Sequence, residues 1–171
     1  GIALYVITLF RMFSRNHEAR MAENRKYIEL TSGWKTKSSQ FIKRMKNNQK
    51  NEACREAIKD FAEQDGKVVA ECGGMMYLCE SIVTDEGEYP MCGVLPYRIT
   101  ARKADRKLSL GYRQFELDGK SYRGHEFHYT QFLGEVPSSA TQVYDAKGNP
   151  VATPVFRYKN VLASYTHLYQ I

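Results

Sequence analysis

Cys72 stands between a short apolar run and a pair of glycines, in the order Val68-Val69-Ala70-Glu71-Cys72-Gly73-Gly74. This order is typical of a nucleophile elbow, in which a strand turns sharply into a helix and presents the nucleophile above the sheet edge. Backbone N–H groups at the start of the helix can stabilise a thiolate and an oxyanion, and Gly73 lets substrate approach closely. The alternative is a buried structural cysteine, but the position between a strand and an apolar helix favours a nucleophile.

A cysteine nucleophile needs a base, and the chain has four histidines: His17, His125, His128 and His167. His167 follows the strand-like run Val161–Tyr165, and α/β sheets place functional groups at strand ends, so His167 is the predicted base. His125 and His128 are three residues apart in a predicted strand, so their side chains face opposite sides. They make poor partners for one metal ion and are expected to be hydrogen-bonded structural residues; no metal site is predicted.

The elements around Cys72 follow the order helix, strand, sharp turn, helix, which is typical of an α/β sheet. The first helix ends at Asp65-Gly66 with a glycine cap, and its buried face is predicted to contain Ala53, Ala57, Ile58, Phe61 and Ala62. The β-branched run Lys67–Glu71 predicts a strand inside a mainly parallel sheet. Met75–Ile82 predicts the helix that packs on that strand.

Beyond Pro90 the chain becomes strand-rich, which predicts a largely antiparallel region. The predicted strands are Cys92–Leu95, Leu108–Leu117, Ser121–Phe132, Thr141–Asp145, Thr153–Tyr158 and Val161–Tyr165. Asp118-Gly119 is a hairpin signal, and Lys147–Pro150 is a second turn signal. No linker is long enough to divide the chain, so residues 1–171 are predicted to form a single domain.

Much of the basic excess behind the formal net charge of +6 lies in the first fifty residues. A strand is predicted over residues 2–10, a polar helix over 11–26 and a further helix from Ser39. The apolar start is too short to span a bilayer, and the alternative is a remnant of a membrane anchor. Aromatic residues are not interleaved with the basic ones, so a solvated helix face is favoured over a nucleic-acid patch. Neither a nucleic acid nor a membrane is an expected partner.

The four cysteines, Cys54, Cys72, Cys79 and Cys92, form no CxxC pair. A zinc ribbon or a thioredoxin-like motif is therefore disfavoured. A reduced, cytoplasmic protein is the expectation, in which any one cysteine can be a nucleophile.

Five separate segments together resemble one family. They are Ala70–Leu78, Tyr89–Pro96, Leu110–Arg113, Arg123–Tyr129 and Leu162–His167. Their order, and approximately their gaps, match the C-terminal amidotransferase domain of cobyrinic acid a,c-diamide synthases, a class I glutamine amidotransferase. The resemblance covers roughly residues 47–171 and is specific as a set, although each segment alone is weak evidence.

The resemblance implies a flavodoxin-like α/β core with a strand-rich C-terminal half. It implies hydrolysis of glutamine to glutamate and ammonia through a cysteinyl thioester, with Cys72 as nucleophile and His167 as base. Arg106 is similar to an arginine that holds the glutamine carboxylate, and Gly73 and Gly33 are the expected backbone contacts to substrate. The ammonia amidates carboxylates of cobyrinic acid, which a synthetase domain activates with ATP and magnesium.

The sequence departs from this family in four ways. No G-x-x-x-x-G-K-[ST] motif occurs, so ATP and magnesium are assigned to a separate P-loop synthetase domain or subunit, and no cofactor is expected in this domain. The family's Gly-Gly-Tyr-Pro-Glu turn corresponds to Thr31–Thr36, where one glycine, Gly33, is retained. Tyr169 stands where many class I amidotransferases carry glutamate, so Glu126 or a backbone carbonyl is expected to orient His167. Residues 1–40 are divergent or truncated.

The leading hypothesis is therefore a glutaminase domain that supplies ammonia for ATP-dependent amidation of cobyrinic acid in cobalamin biosynthesis. Its expected partners are glutamine, a P-loop synthetase and a second copy of the chain. The alternative is a catalytically degenerate domain of the same fold with a binding or scaffolding role, because losing an oxyanion donor costs ~2.7–4 kcal/mol. A different cysteine hydrolase built on the same elbow is a third hypothesis.

Overall fold

The structure is a computed structural model that describes residues 52–169. The predictions for residues 2–10, 11–26 and 31–36 and for the helix from Ser39 lie outside this range. In chain order the elements are α1 (Glu52–Glu63), β1 (Val68–Glu71), α2 (Gly73–Leu78), β2 (Ser81–Thr84), β3 (Gly87–Pro90), β4 (Arg98–Thr100), a 3-10 turn (Lys103–Asp105), β5 (Ser109–Leu117), β6 (Lys120–His128), β7 (Gln131–Phe132), β8 (Val143–Tyr144), β9 (Pro150–Val151), β10 (Val155–Tyr158), β11 (Val161–Ser164) and β12 (His167–Leu168).

The described strands form three sheets, in the orders β1-β11-β10, β12-β6-β5-β8-β9 and β3-β2-β4-β7. In the first sheet β1 is parallel to β11, and β10 is antiparallel to β11. The second sheet is antiparallel throughout. The predicted α/β class and the antiparallel second half are confirmed. The expected mainly parallel surroundings of β1 are not found within residues 52–169, where β1 and β11 make the single parallel pair of that sheet.

α1 packs on the core through one stripe of its surface. The buried apolar residues of this stripe are Cys54, Ile58 and Ala62. Ala53, predicted on the same face, is exposed because it lies one position off a stripe that repeats every four residues. α1 ends at Glu63, and in the turn that follows, Asp65 and not Gly66 adopts the left-handed conformation, with φ 60°. Gly66 donates its N–H to the Phe61 carbonyl oxygen at 2.9 Å, and its missing side chain leaves room for the Phe61 ring.

Two predicted elements near Cys72 differ from the structure. α2 ends at Leu78 and does not reach Ile82, because the β-branched run Ser81–Thr84 forms β2 instead. Cys92–Leu95 is not a strand. Its N–H groups donate, over 2.8 to 2.9 Å, to carbonyl oxygens at the end of α2 and just after it. This segment therefore caps the helix that follows Cys72.

β5 and β6 form a long hairpin whose turn matches the sequence signal. Asp118 and Gly119 both have positive φ, 52° and 73°, as two-residue hairpin turns of type I′ require. The second turn signal is also confirmed, since Gly148 donates its N–H to the Asp145 carbonyl oxygen at 3.1 Å. The predicted strand Ser121–Phe132 is divided into β6 and β7.

Candidate active site

Cys72 lies at the sharp turn between β1 and α2, with φ 46° and ψ −106°. Positive φ is uncommon for a residue with a side chain and costs ~1–3 kcal/mol, so neighbouring groups must hold it. The Cys72 N–H donates to the Ser164 carbonyl oxygen at 2.8 Å, and the Cys72 carbonyl accepts from the Met76 N–H at 3.0 Å. The predicted strand-to-helix turn is thus present, and both β11 and α2 fix it.

The Cys72 thiol is fully buried. Burial is the main reason that its pKa rises to about 12; the Gly73 N–H opposes the rise, while the charges of Glu126 and Glu71 add to it. The resting group is therefore a protonated thiol at neutral pH. This differs from the expectation that helix amides favour a thiolate, because burial outweighs the one amide contact and α2 has only 6 residues.

His167 opens β12, which pairs with β6 so that His167 lies opposite His125. The two imidazole rings stack with centroids 5.0 Å apart, and the His125 ring also stacks on that of Tyr169 at 5.7 Å. The Cys72 sulfur lies 4.0 Å from the carbonyl oxygen of Phe127, two residues along β6 from His125. One short stretch of β6 therefore has both the predicted nucleophile and the predicted base beside it.

Cys72 and His167 both follow the carboxyl ends of neighbouring parallel strands. Glu71, the last residue of β1, lies beside Ser164, the last residue of β11. The Thr166 N–H donates to the Ser164 hydroxyl oxygen at 3.1 Å and forms the short turn from β11 to β12. This is the strand-end placement that α/β sheets commonly use for functional groups.

Glu126 is a buried anchor of the β5–β6 hairpin, with 1% of its surface exposed. Its carboxylate accepts hydrogen bonds from Arg113 Nε at 2.5 Å, His128 Nε2 at 2.5 Å, Thr153 Oγ1 at 2.6 Å and Ser109 Oγ at 2.9 Å. Strand alternation places it on the opposite face of β6 from His125, and therefore from His167. The structure does not support the expectation that Glu126 orients His167.

Both ring nitrogens of His128 face acceptors, which are the Glu126 carboxylate and, at 2.8 Å, the Thr130 carbonyl oxygen. His128 thus links the Glu126 carboxylate to the backbone just after β6. Burial by itself raises the pKa of Glu126, but hydrogen bonds from His128 and Thr153 and the charge of His128 lower it to about 2. Glu126 and His128 are therefore structural residues of a buried polar network.

Two residues beside His167 were not singled out from the sequence. The Glu71 carboxyl oxygen accepts the Leu168 N–H at 2.5 Å, and Gly124 lies against the backbone of His167. Glu71 carried a signal, since it is a charged residue at the end of a buried strand. Gly124 carried only the general signal of a glycine inside a strand, which indicates close approach of another backbone.

The other predicted site residues are less closely defined. Gly73 is buried and begins α2 directly after Cys72. Arg106 is half-buried after the 3-10 turn, and its role remains a prediction; Gly33 lies outside the described residues. Within residues 52–169 no group of three or more His, Cys, Asp or Glu side chains is arranged to hold a metal ion. No helix in that range is long and apolar enough to cross a bilayer.

We expect diazo-oxo-norleucine, a glutamine-mimicking electrophile, to label Cys72 faster than Cys54, Cys79 or Cys92. All four cysteines are buried and none is in a disulfide, and burial raises the pKa of Cys79 to about 12 as it does for Cys72. Thiol acidity therefore gives no reason for Cys72 to react faster than Cys79. Binding of a glutamine-shaped reagent beside His167 is expected to favour Cys72. Peptide mass spectrometry after timed exposure measures the rates. Iodoacetamide, which lacks that shape, is the control, and equal or slower labelling of Cys72 by the glutamine mimic counts against the site.

Comparison with known proteins identifies the family. The profile of the CobB/CobQ-like glutamine amidotransferase domain matches residues 38–170. The chain is 37% identical over 130 residues to the cobyrinate a,c-diamide synthase of Syntrophotalea carbinolica, covering 68% of this chain and 28% of that protein. It is 37% identical over 121 residues to the hydrogenobyrinate a,c-diamide synthase of Rhizobium meliloti, covering 67% and 28%. It is 29% identical over 164 residues to the cobyrinate a,c-diamide synthase of Caldanaerobacter subterraneus, covering 91% and 35%.

The chain spans between 28% and 35% of the length of these three relatives. A solved crystal structure of a glutamine amidotransferase aligns with a TM-score of 0.44 and 22% identity, over 72% of this chain and 64% of that one. The family profile covers well over half of the chain and includes all five segments that carry the resemblance. The chain therefore belongs to the CobB/CobQ-like glutamine amidotransferase domain family.

Proposed function

We propose that the chain is the glutaminase domain of a cobyrinate a,c-diamide synthase and releases ammonia from glutamine for amidation of cobyrinate in cobalamin biosynthesis. The observation that carries the proposal is that Cys72, in its strained turn, and His167 follow the ends of the neighbouring strands β1 and β11 and lie beside one stretch of β6. Two of the relatives are cobyrinate a,c-diamide synthases, which supports cobyrinate as the acceptor of the ammonia. The comparisons give no support to a degenerate, non-catalytic domain.

The reaction begins with transfer of the Cys72 proton to His167. The sulfur attacks the side-chain amide carbon of glutamine, and His167 returns the proton to the leaving nitrogen, so that ammonia departs and a glutamyl thioester remains. Water, deprotonated by His167, then hydrolyses the thioester to glutamate and restores the thiol. Because the resting pKa of Cys72 is about 12, the thiolate forms in quantity only when a base takes its proton.

Substrate contacts are proposed at three further residues. The Gly73 N–H faces the Cys72 sulfur, so it can donate to the oxyanion that forms on the attacked amide. Gly33 is the proposed second donor, and Arg106 is the proposed ligand of the glutamine carboxylate. Each oxyanion donor of this kind contributes ~2.7–4 kcal/mol to transition-state stabilisation.

The sheet face around His167 carries several exposed apolar and aromatic side chains. Leu110, Tyr112 and Tyr169 are 62%, 64% and 53% exposed, and the register pairs Leu110 with Phe127. Contiguous exposed apolar surface of this kind marks an interaction site. We assign it to the P-loop synthetase part, which receives the ammonia and uses ATP and magnesium, so that this domain needs no cofactor of its own. We place the reaction in the cytoplasm, where ATP is available.

The function is tested by grafting this chain into the Syntrophotalea carbinolica relative in place of the stretch that it matches. With glutamine, ATP and magnesium, the grafted protein is expected to amidate cobyrinate. The chain alone is expected to release glutamate weakly or not at all, because amidotransferase sites often need their synthetase to be complete. Mass spectrometry of the corrinoid product and an enzymatic glutamate assay measure the two outcomes.

Ammonium salts in place of glutamine bypass the glutaminase and show that the synthetase part is folded. Amidation with ammonium but not with glutamine contradicts the proposed function. Preferential amidation of hydrogenobyrinate reassigns the acceptor and leaves the glutaminase role intact. Light scattering of the full chain shows whether a second copy occupies the apolar face instead.

A further inference from the structure

β12 contains only His167 and Leu168, which is shorter than most strands, so its orientation depends on its neighbours. Tyr169 stands where many class I amidotransferases carry glutamate, and its ring stacks on His125. The Tyr169 N–H donates to the Arg123 carbonyl oxygen at 2.9 Å and ties the end of β12 to β6. The direction of the His167 side chain therefore depends on the groups that fix the backbone of these two residues.

Glu71 holds that backbone from the side away from β6. Because N–H groups alternate along a strand and that of Tyr169 points to β6, the Leu168 N–H points outward. The Glu71 carboxyl oxygen accepts this N–H at 2.5 Å. One carboxyl group thus connects the residue before Cys72 with the residue after His167.

Gly124 meets the same strand from the β6 side, where it lies opposite Leu168. A methyl group on Gly124 would come within 2.7 Å of the His167 carbonyl carbon and 2.8 Å of Thr166 Cγ2, and closer still to the His167 carbonyl oxygen. Carbon atoms in contact are ~3.5–4.0 Å apart. Only glycine therefore lets β12 approach β6 this closely.

We propose that Glu71 and Gly124 are positioning residues that hold His167 in line with Cys72. Glu71 supplies the missing hydrogen bond on the outer edge of β12, and Gly124 sets the distance between β12 and β6. Both act through His167 and neither is assigned a contact with substrate. The inference rests on the proposed glutaminase function.

The Glu71 carboxyl can accept the Leu168 N–H in its neutral, protonated form. Burial raises its pKa to about 8, against the opposing effect of the Leu168 N–H, so the group is mostly protonated at pH 7. The charge of an ionised Glu71 is one of the causes that raise the pKa of Cys72, and the neutral form lacks it. A neutral carboxyl accepts the Leu168 N–H through its carbonyl oxygen, and a glutamine amide offers the same acceptor. Glu71→Gln is therefore the conservative substitution.

The test compares Glu71→Ala with Glu71→Gln in the grafted protein. We expect Glu71→Ala to lower kcat for glutamate release about 100-fold, as expected for a catalytic group displaced by about 1 Å, with little change in KM for glutamine. Glu71→Gln is expected to restore most of the rate. Glu88→Ala is the matched control, because the Glu88 carboxylate binds Ser81 and Arg98 in the third sheet and its loss is expected to leave kcat unchanged.

Amide hydrogen exchange at Leu168, measured by NMR on the full chain, does not depend on catalysis. Exchange is expected to accelerate in Glu71→Ala and to stay near the wild-type rate in Glu71→Gln. If the wild-type sequence releases no glutamate either in the grafted protein or as the chain alone, the proposed function fails. The exchange rates still test the hydrogen bond between Leu168 and Glu71. A wild-type kcat in Glu71→Ala, in a protein whose activity depends on Cys72, overturns the positioning role.

Gly124→Ala tests the other side of β12. We expect a similar loss of kcat, because the added methyl group displaces the backbone of His167, and circular dichroism checks that the protein is folded. A folded Gly124→Ala protein with wild-type kcat removes Gly124 from the proposal. The two Glu71 variants keep the proposal testable if Gly124→Ala does not fold.

Discussion

Cys72→Ala and His167→Ala are each expected to lower kcat for glutamate release in the grafted protein by about three orders of magnitude or more, as loss of a nucleophile or its base does in other hydrolases. Without the sulfur no thioester can form. Without the imidazole, a thiol whose pKa is about 12 stays protonated, and the leaving nitrogen receives no proton. A coupled glutamate assay at saturating glutamine measures the loss.

His125→Ala is the control for loss of a neighbouring imidazole. The His125 ring stacks on His167, so its loss is expected to have a much smaller effect than loss of His167. Glutamate release that persists undiminished in Cys72→Ala ends the catalytic assignment. Complete inactivity of the wild-type chain beside a synthetase part that still uses ammonium favours the degenerate-domain alternative.

Glu126→Gln is expected to lower the free energy of unfolding by about 3–5 kcal/mol, the usual result of breaking a buried ion pair. The substitution keeps the shape of the side chain but removes the charge that faces Arg113 and His128. Urea denaturation followed by circular dichroism measures the change. Glu116→Gln is the matched control, because Glu116 is an exposed glutamate of the same hairpin that binds Ser121. Its effect is expected within ~0.5 kcal/mol, and an equally small effect at Glu126 contradicts the prediction.

Acid pH gives an independent check on Glu126. Its pKa falls from the ordinary 4.5 to about 2 in the folded chain. The stability that it contributes is therefore fully present above the unfolded value and is lost as the pH falls through the folded one. The wild-type chain is expected to lose stability between about pH 5 and pH 2, and Glu126→Gln is expected to lose less over the same range. Parallel curves for the two proteins would exclude Glu126 as the cause.

The turn at Cys72 could be predicted because its information is local. A β-branched run, a cysteine and two glycines within seven residues specify a strand end, a sharp turn and a helix start. The Asp118-Gly119 hairpin is local in the same sense. Cys92–Leu95 was predicted wrongly as a strand because its N–H groups find partners at the end of α2. A short apolar run has the same pattern in either setting, and only tertiary contacts decide between them.

The surroundings of His167 could be predicted only in part. Its position after a strand identified it as a candidate, but the hydrogen bond from Leu168 to Glu71 spans 97 positions of the chain, which no local pattern reveals. Glu126 was expected to orient His167, and strand alternation explains why it does not. Glu126 and His125 are neighbours in β6 and must face opposite sides of that strand. The sequence did not contain the register of β12 against β6, which places His167 on the face of His125.

The parallel pairing of β1 with β11 also has a consequence for protein synthesis. Val68, four positions before the nucleophile, pairs with Val161, close to the last described residue. During translation β1 leaves the ribosome long before β11 has been made. Pairing between strands that are so far apart in the sequence forms late. A prematurely terminated chain thus has the thiol without the strand that braces its turn and without His167. The proposed site can therefore form only after residues 161–168 have been synthesised.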